Sequence, residues 1–154
     1  EYGLNSVVVI PNNTYGPRDN FELETGHVIP SLITKCLTEK ELIVWGDGTP
    51  TRDFLYVEDF AEGVILAAEK LNTSKPVNLG SGKQISIRKL VELAVELTGF
   101  KGPVIFDKSK PQGQVRRAVD INKARKLLGF KPKWSLREGL KKTIQWYKEN
   151  YLKI

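Results

Sequence analysis

Ile43-Val44-Trp45-Gly46-Asp47-Gly48-Thr49-Pro50-Thr51-Arg52-Asp53-Phe54-Leu55-Tyr56-Val57-Glu58-Asp59 moves from an apolar run to a glycine turn, a second apolar run and an acidic helix start. Strand, turn, strand and helix follow one another here, which is the grammar of an α/β protein. Gly46 and Gly48 permit positive φ and a close approach by another group. The turn sets an indole, Trp45, on one side and a permanent cation, Arg52, on the other. A flat aromatic and a forked guanidinium suit a ligand with a ring at one end and phosphate at the other. On this segment alone a plain hairpin carrying a solvated arginine is the slightly better account.

On either side, strands and helices alternate. Ser6–Ile10 is a continuous β-branched run, suited to a strand buried on both faces of a parallel sheet. A polar, turn-rich loop, Pro11 to Asn20, follows it. Helices are expected over about Val28–Leu37, Asp59–Leu71, Ile87–Thr98 (capped by Ser86, stopped by Gly99), from Asp120 to Leu128, and from Ser135 to about Tyr147–Asn150. Ser135-Leu136-Arg137-Glu138 is a capping box. Leu42–Trp45, Phe54–Val57, Pro76–Leu79 and Val104–Phe106 read as strands, with a loop from Lys108 to Val115. Ser6–Ile10 and Pro76–Leu79 are expected side by side in a parallel sheet whose other strands lie outside this sequence. The rest forms a smaller lobe.

The 154 residues carry 40% hydrophobic and 27% charged side chains, ordinary for a globular domain. No apolar run approaches a membrane span and Glu1-Tyr2-Gly3-Leu4-Asn5 does not read as a signal peptide, so a cytoplasmic protein is the expected default. Cys36 has no intrachain partner for a disulfide, and with His27 the only histidine, no metal site is expected. There is no methionine, and Tyr2-Gly3-Leu4 reads as the end of a helix stopped by Gly3; the sequence is expected to be a piece of a longer polypeptide. Charge is uneven: residues 1–100 have a net of −5 and residues 101–154 a net of +11. That basic stretch fits nucleic-acid binding, a lobe that handles a small anion, or simply solvated helix faces.

Single motifs leave alternatives open. Gly80-Ser81-Gly82 follows a strand and precedes a helix, but Ile85 stands where a dinucleotide-binding loop needs its third glycine, so a tight turn is the better account. Asn12 and Asn13 lie past the carboxyl end of a strand, where ligands of open α/β sheets sit; an Asx-turn fits them as well. His27, at a helix start, has the chemistry of a proton donor. On sequence alone a partly exposed cap is the simpler role.

Taken in order, Pro11-Asn12-Asn13-Thr14-Tyr15-Gly16-Pro17-Arg18-Asp19, Gly26-His27-Val28-Ile29-Pro30, Trp45-Gly46-Asp47-Gly48-Thr49-Pro50-Thr51-Arg52-Asp53-Phe54 and Asn78-Leu79-Gly80-Ser81-Gly82 resemble the C-terminal part of an extended short-chain dehydrogenase/reductase, the family of NAD(P)-dependent nucleotide-sugar epimerases and dehydratases. Asp19-Asn20-Phe21, His27-Val28-Ile29-Pro30 and Phe106-Asp107-Lys108-Ser109-Lys110-Pro111-Gln112-Gly113 are similar to its GDP-L-fucose synthase branch, the epimerase/reductases. The departure of Pro11-Asn12-Asn13 from that branch's usual Pro-Thr-Asn keeps a UDP- or dTDP-sugar epimerase or dehydratase open.

The resemblance implies the last strands of a Rossmann-type sheet plus a small α/β substrate-binding domain. Residues 1–25 and 58–82 would belong to the dinucleotide-binding domain, and 26–57 and 83–154 to the substrate-binding domain. It implies that Pro11, Asn12, Asn13, Thr14 and His27 line the nicotinamide side of NADP, or of NAD. Asn13, Lys35, Trp45, Arg52 and Asp107 would hold a nucleotide sugar, and His27 would be the catalytic acid. A homodimer of the intact enzyme, no membrane and no nucleic acid belong to the same picture. The family's glycine-rich loop and Tyr-x-x-x-Lys lie upstream of the matching region. Tyr2, Tyr15 and Tyr56 have no lysine four residues on, and Tyr147 is followed there by Tyr151. The chain by itself is therefore expected to turn over nothing.

Overall fold

The computed structural model describes residues 5–152. The helix end expected around Gly3 lies outside them. Along the chain run β1 (Val9–Pro11), β2 (Thr14–Tyr15), α1 (Val28–Thr38), β3 (Leu42–Trp45), β4 (Thr51–Asp53), β5 (Leu55–Tyr56), α2 (Val57–Lys70), β6 (Val77–Leu79), β7 (Gln84–Ser86), α3 (Ile87–Thr98), β8 (Val104–Asp107), β9 (Arg116–Arg117), α4 (Asn122–Leu128) and α5 (Leu136–Tyr151).

β1 and β6 pair in parallel with Val9 opposite Val77. β1 is shorter than the apolar run expected, and it is not buried on both faces: Val8 and Ile10 are exposed. Among the described residues only β6 pairs with it, so one edge and part of a face stay open. Two apolar clusters hold the molecule together. One gathers Val77 and Leu79 with Ala67, Ala124, Leu128 and Phe130, so α2 and α4 cover β6. The other packs α1, α3 and α5 through Ile33, Leu90, Val91 and Ile144. Phe21 stacks on Trp146 there, with ring centroids 5.7 Å apart.

The segment from Arg52 to Tyr56 runs between the two clusters. Leu55 faces one, while Phe54 and Tyr56 face the other. The single strand expected at Phe54–Val57 is therefore two short ones separated by Phe54, and Val57 already belongs to α2. The hairpin reading of residues 43–56 is corrected too. β3 pairs in parallel with β8, whereas β4 lies between antiparallel β7 and parallel β9. The Gly46–Gly48 turn sends the chain to a different sheet because both glycines have left-handed backbones, at φ +82° and +79°. A Cβ on Gly48 would sit 2.6 Å from the Phe106 ring. The close approach at this turn is made by the protein's own β8 rather than by open space for a ligand.

Helix ends follow local chemistry. Ser86 accepts the Lys89 N–H and Gly99 closes α3 at φ +75°. Ser135 and Glu138 form the reciprocal capping box of α5. Asp120 accepts the Asn122 N–H at 2.8 Å, so its carboxylate caps α4 from one residue before the N-cap position.

Candidate functional site

Asp53 organises the region where β1, β4 and β6 end. It is 1% exposed. Its Oδ1 accepts the Ser81 N–H (2.9 Å) and the Ser81 hydroxyl (2.5 Å), and its Oδ2 accepts the Gly82 N–H (3.1 Å). The Gly80-Ser81-Gly82 turn thus spends its amides on a buried carboxylate, which explains the motif without a phosphate. The Asp53 carbonyl accepts from the side-chain amides of Asn12 (3.4 Å) and Asn13 (2.9 Å). Asn12 is buried and braces Asn13 through its Oδ1 (3.2 Å). Asn13, in a left-handed backbone at φ +39°, is the one of the two that reaches open space.

That space is a cleft of about 360 Å³ at the carboxyl end of β1, walled by Pro11, Asn13, Thr14, Asp19, His27 and Arg117. Its volume falls in the range of small-molecule sites. His27 occupies the N-cap position of α1 without making a capping bond, and it is exposed. Two side-chain oxygens on this wall, Thr14 Oγ1 and Asp19 Oδ2, are buried and unpartnered. Buried polar atoms rarely stay so. Burial raises the Asp19 carboxyl above its ordinary range, opposed by the Asn20 amide and by the charge of His27.

A second cleft, also about 360 Å³, is bordered by Lys35, Trp45, Arg52, Ile87, Pro111 and Gln112. Lys35 is carried by α1 and donates to the Ile43 carbonyl at 3.3 Å. Trp45 ends β3 and is 58% exposed, unusual for so large an apolar residue. Arg52 is steadied by the carbonyls of Thr51 (2.8 Å) and Gln114 (2.7 Å). Burial, and then the neighbouring Arg117 guanidinium, pull Arg52 below its usual range.

Val28 borders both clefts, and Arg52 is the register partner of Arg117 across β4 and β9. Like charges set directly opposite each other repel, so this pair suits an anion between them. Lys35, Trp45 and Arg52 thus share one cleft, and Pro11, Asn13, Thr14 and His27 the adjoining one. Asn12 lines neither. Asp107 lies opposite Trp45 in the β3–β8 register, but its Oδ1 accepts the Ser109 N–H (3.0 Å) and hydroxyl (2.6 Å), bonds that hold its carboxyl below the ordinary range. Its side chain braces the 108–110 turn beside the indole.

Residues 1–80 match the model of the NAD dependent epimerase/dehydratase family. The chain belongs to that family. It is 41% identical over 157 residues to a probable GDP-L-fucose synthase 1 of Oryza sativa subsp. japonica, covering 99% of this chain and 48% of that protein. A GDP-L-fucose synthetase from Naegleria fowleri, bound to NADP, superposes with a TM-score of 0.89 at 32% identity, over 94% of this chain and 47% of that one. A UDP-glucose 4-epimerase from Thermotoga maritima, with UDP-glucose, gives a TM-score of 0.87 at 33% identity, over 97% and 48%. This epimerase/dehydratase chain has the fold of the Rossmann-type epimerases and spans about half the length of the curated relatives it matches. Among its described residues no helix is long and apolar enough to cross a membrane.

Sequence reasoning passed over Arg117 and Asp19. Arg117 sits in an exposed Arg-Arg pair of the basic stretch, without periodicity to mark it; only its partnership with Arg52 reveals it. Asp19 ends the Pro11–Asp19 motif, but nothing in the motif says that one carboxylate oxygen turns inward.

Proposed function

We propose that this chain is the substrate-binding portion of an NADP-dependent nucleotide-sugar epimerase/reductase of the GDP-L-fucose synthase type. The reading is carried by the Arg52–Arg117 pair, which bridges the cleft of Trp45 and Lys35 to the cleft of His27. Trp45 offers a face to the nucleotide base. Lys35 and Arg52 neutralise the diphosphate, with Arg117 beside them. Asp107 keeps the turn next to the indole in place. Anchoring the diphosphate far from the reacting carbons turns binding energy into orientation of the sugar.

The sugar ring then lies against His27. A 4-keto-6-deoxy sugar that has lost a proton beside its ketone regains one on the opposite face from the imidazole. Pro11, Asn13 and Thr14 form the wall for the nicotinamide, and Asn12 holds that wall to Asp53. The unpartnered Thr14 hydroxyl fits a polar edge arriving there. A nicotinamide nucleotide, when bound, supplies the hydride that reduces the ketone. Residues 1–25 and 58–82 serve the dinucleotide-binding domain, and the remainder the substrate-binding domain. Alone, the chain turns over nothing, since hydride transfer also needs a tyrosine acid/base and a held nicotinamide.

Thermal-shift titrations with GDP-mannose, UDP-glucose and a random oligonucleotide test this reading. Saturable stabilisation by GDP-mannose, reduced in Arg52→Ala, is expected. Preference for UDP-glucose would move the assignment to a UDP-sugar epimerase. Salt-sensitive binding of the oligonucleotide alone would overturn it in favour of a nucleic-acid module.

A further inference from the structure

Asp19 has no task in the proposed reaction, yet its surroundings are unusual for a loop carboxylate. Gly16 and Pro17 turn the chain, Arg18 takes a left-handed backbone at φ +67°, and the Asp19 N–H donates to the Gly16 carbonyl at 3.3 Å. This local fold directs the side chain inward. Oδ1 accepts the Asn20 N–H at 2.7 Å, while Oδ2 is shielded from solvent and lacks any partner among the described residues. Orphaning a carboxylate oxygen is costly unless some group completes it.

The candidates on the same wall are few. The Tyr15 hydroxyl already donates to the Leu136 carbonyl at 3.3 Å. The unpartnered Thr14 hydroxyl and the Arg117 guanidinium, on the same wall, are taken in the proposed function by the nicotinamide edge and, with Arg52, by the diphosphate. His27 remains: it makes no capping bond, and among the described residues no hydrogen bond ties its imidazole. His27 and Asp19 border the same cleft, and the charge of His27 acts on the Asp19 carboxyl. The helix N-terminus beneath His27 opposes a positive imidazole, so a carboxylate beside it supplies the compensating charge.

We infer that Asp19 is the positioning residue of His27: its free oxygen accepts an imidazole N–H, selects the tautomer and steadies the protonated ring. This rests on the reading of His27 as proton donor. It adds that the donor is a carboxylate–imidazole unit drawn from the loop after β2 and the start of α1. The remaining ring nitrogen then faces the cleft with its proton.

Because the chain has one histidine, its imidazole gives a single set of ¹⁵N signals. In the 154-residue chain, the Asp19 carboxyl carbon is titrated by NMR in the parent and in His27→Gln. The midpoint is expected to rise in the variant by about half a unit or more, since a cation within a few ångströms favours the carboxylate. In Asp19→Asn the imidazole ¹⁵N shifts should move toward those of a free, tautomer-averaged ring, and Asp19→Glu should restore them in part. An Asp19 midpoint indifferent to His27→Gln overturns the inference, and that arm does not depend on whether Asp19→Asn folds. None of these signals requires turnover. Coupling without any loss of epimerisation in a full-length His27→Gln enzyme would overturn only the donor role; loss of epimerisation without coupling would overturn only this inference.

Discussion

Replacing Asp53 with alanine should unlatch the Gly80-Ser81-Gly82 turn after β6 from the end of β4, while the Asp53 carbonyl keeps its bonds from Asn12 and Asn13. The carboxylate accepts two backbone N–H groups, from Ser81 and Gly82, and the Ser81 hydroxyl. The hydroxyl has a second acceptor, the Lys83 carbonyl at 3.2 Å, so its loss counts little. Gly82 is exposed and its N–H regains water, whereas Ser81 is half-buried and does not fully do so. One amide bond to a charged acceptor lost outright and one lost in part amount to about 3 kcal/mol. With a urea slope of ~2 kcal/mol/M for a domain of this size, the unfolding midpoint falls by roughly 1.5 M. Asp53→Asn should be nearly as harmful, because its NH₂ must face one of the two N–H donors. The assay is reversible urea unfolding followed by tryptophan fluorescence and far-UV circular dichroism, whose coincidence licenses a single free energy. Midpoints within about 0.3 M of the parent for both variants, well inside the shift that slope predicts, would refute the latch.

Gly139→Ala improves intrinsic helix propensity by ~1 kcal/mol but sets a Cβ against the Tyr15 hydroxyl and 2.8 Å from the Tyr56 ring. Overpacking should win by about 1–2 kcal/mol, lowering Tm by roughly 4 °C, and adding Tyr15→Phe should recover part of it. Ser135→Ala should cost about 1 kcal/mol in chemical denaturation by opening the capping box of α5. For pH, the Asp19 carboxyl is raised by burial, so the folded state binds its proton more tightly than the unfolded chain. Its contribution is fully present below the ordinary carboxyl range and is lost as pH rises through the raised value. In a His27→Gln background, where no imidazole can charge beside the carboxyl, the stability of Asp19→Asn minus that of Asp19 should therefore be larger at pH 7 than at pH 4; a pH-independent difference would contradict it.

Where a feature is written locally, the sequence displays it. Ser86, Gly99, Gly129 and the Ser135/Glu138 box mark helix ends within four residues of themselves, and each does so in the structure. The parallel pairing of β1 with β6 follows from two apolar runs joined by loops and helices long enough for a crossover. β2, β7 and β9 escape notice because strands of two or three residues carry no readable alternation. The hairpin reading failed for a related reason: the partners of β3 and β4 come from residues 84–86, 104–107 and 116–117, which proximity in sequence cannot reveal. Asn12 shows the same limit within the site. It and Asn13 are identical in type and adjacent, yet burial separates a brace from a wall residue. Arg117 acquires its meaning only from a strand register.

The open side of β1 has a practical corollary. Ile10 is 44% exposed on a strand whose amides and carbonyls are satisfied from one flank alone among the described residues. Such a border is a template onto which another extended backbone can zip, and it is apolar enough to invite that at the concentrations used for spectroscopy. Exchanging Ile10 for lysine would place a gatekeeping charge there, outside both apolar clusters, and should keep the preparation monodisperse.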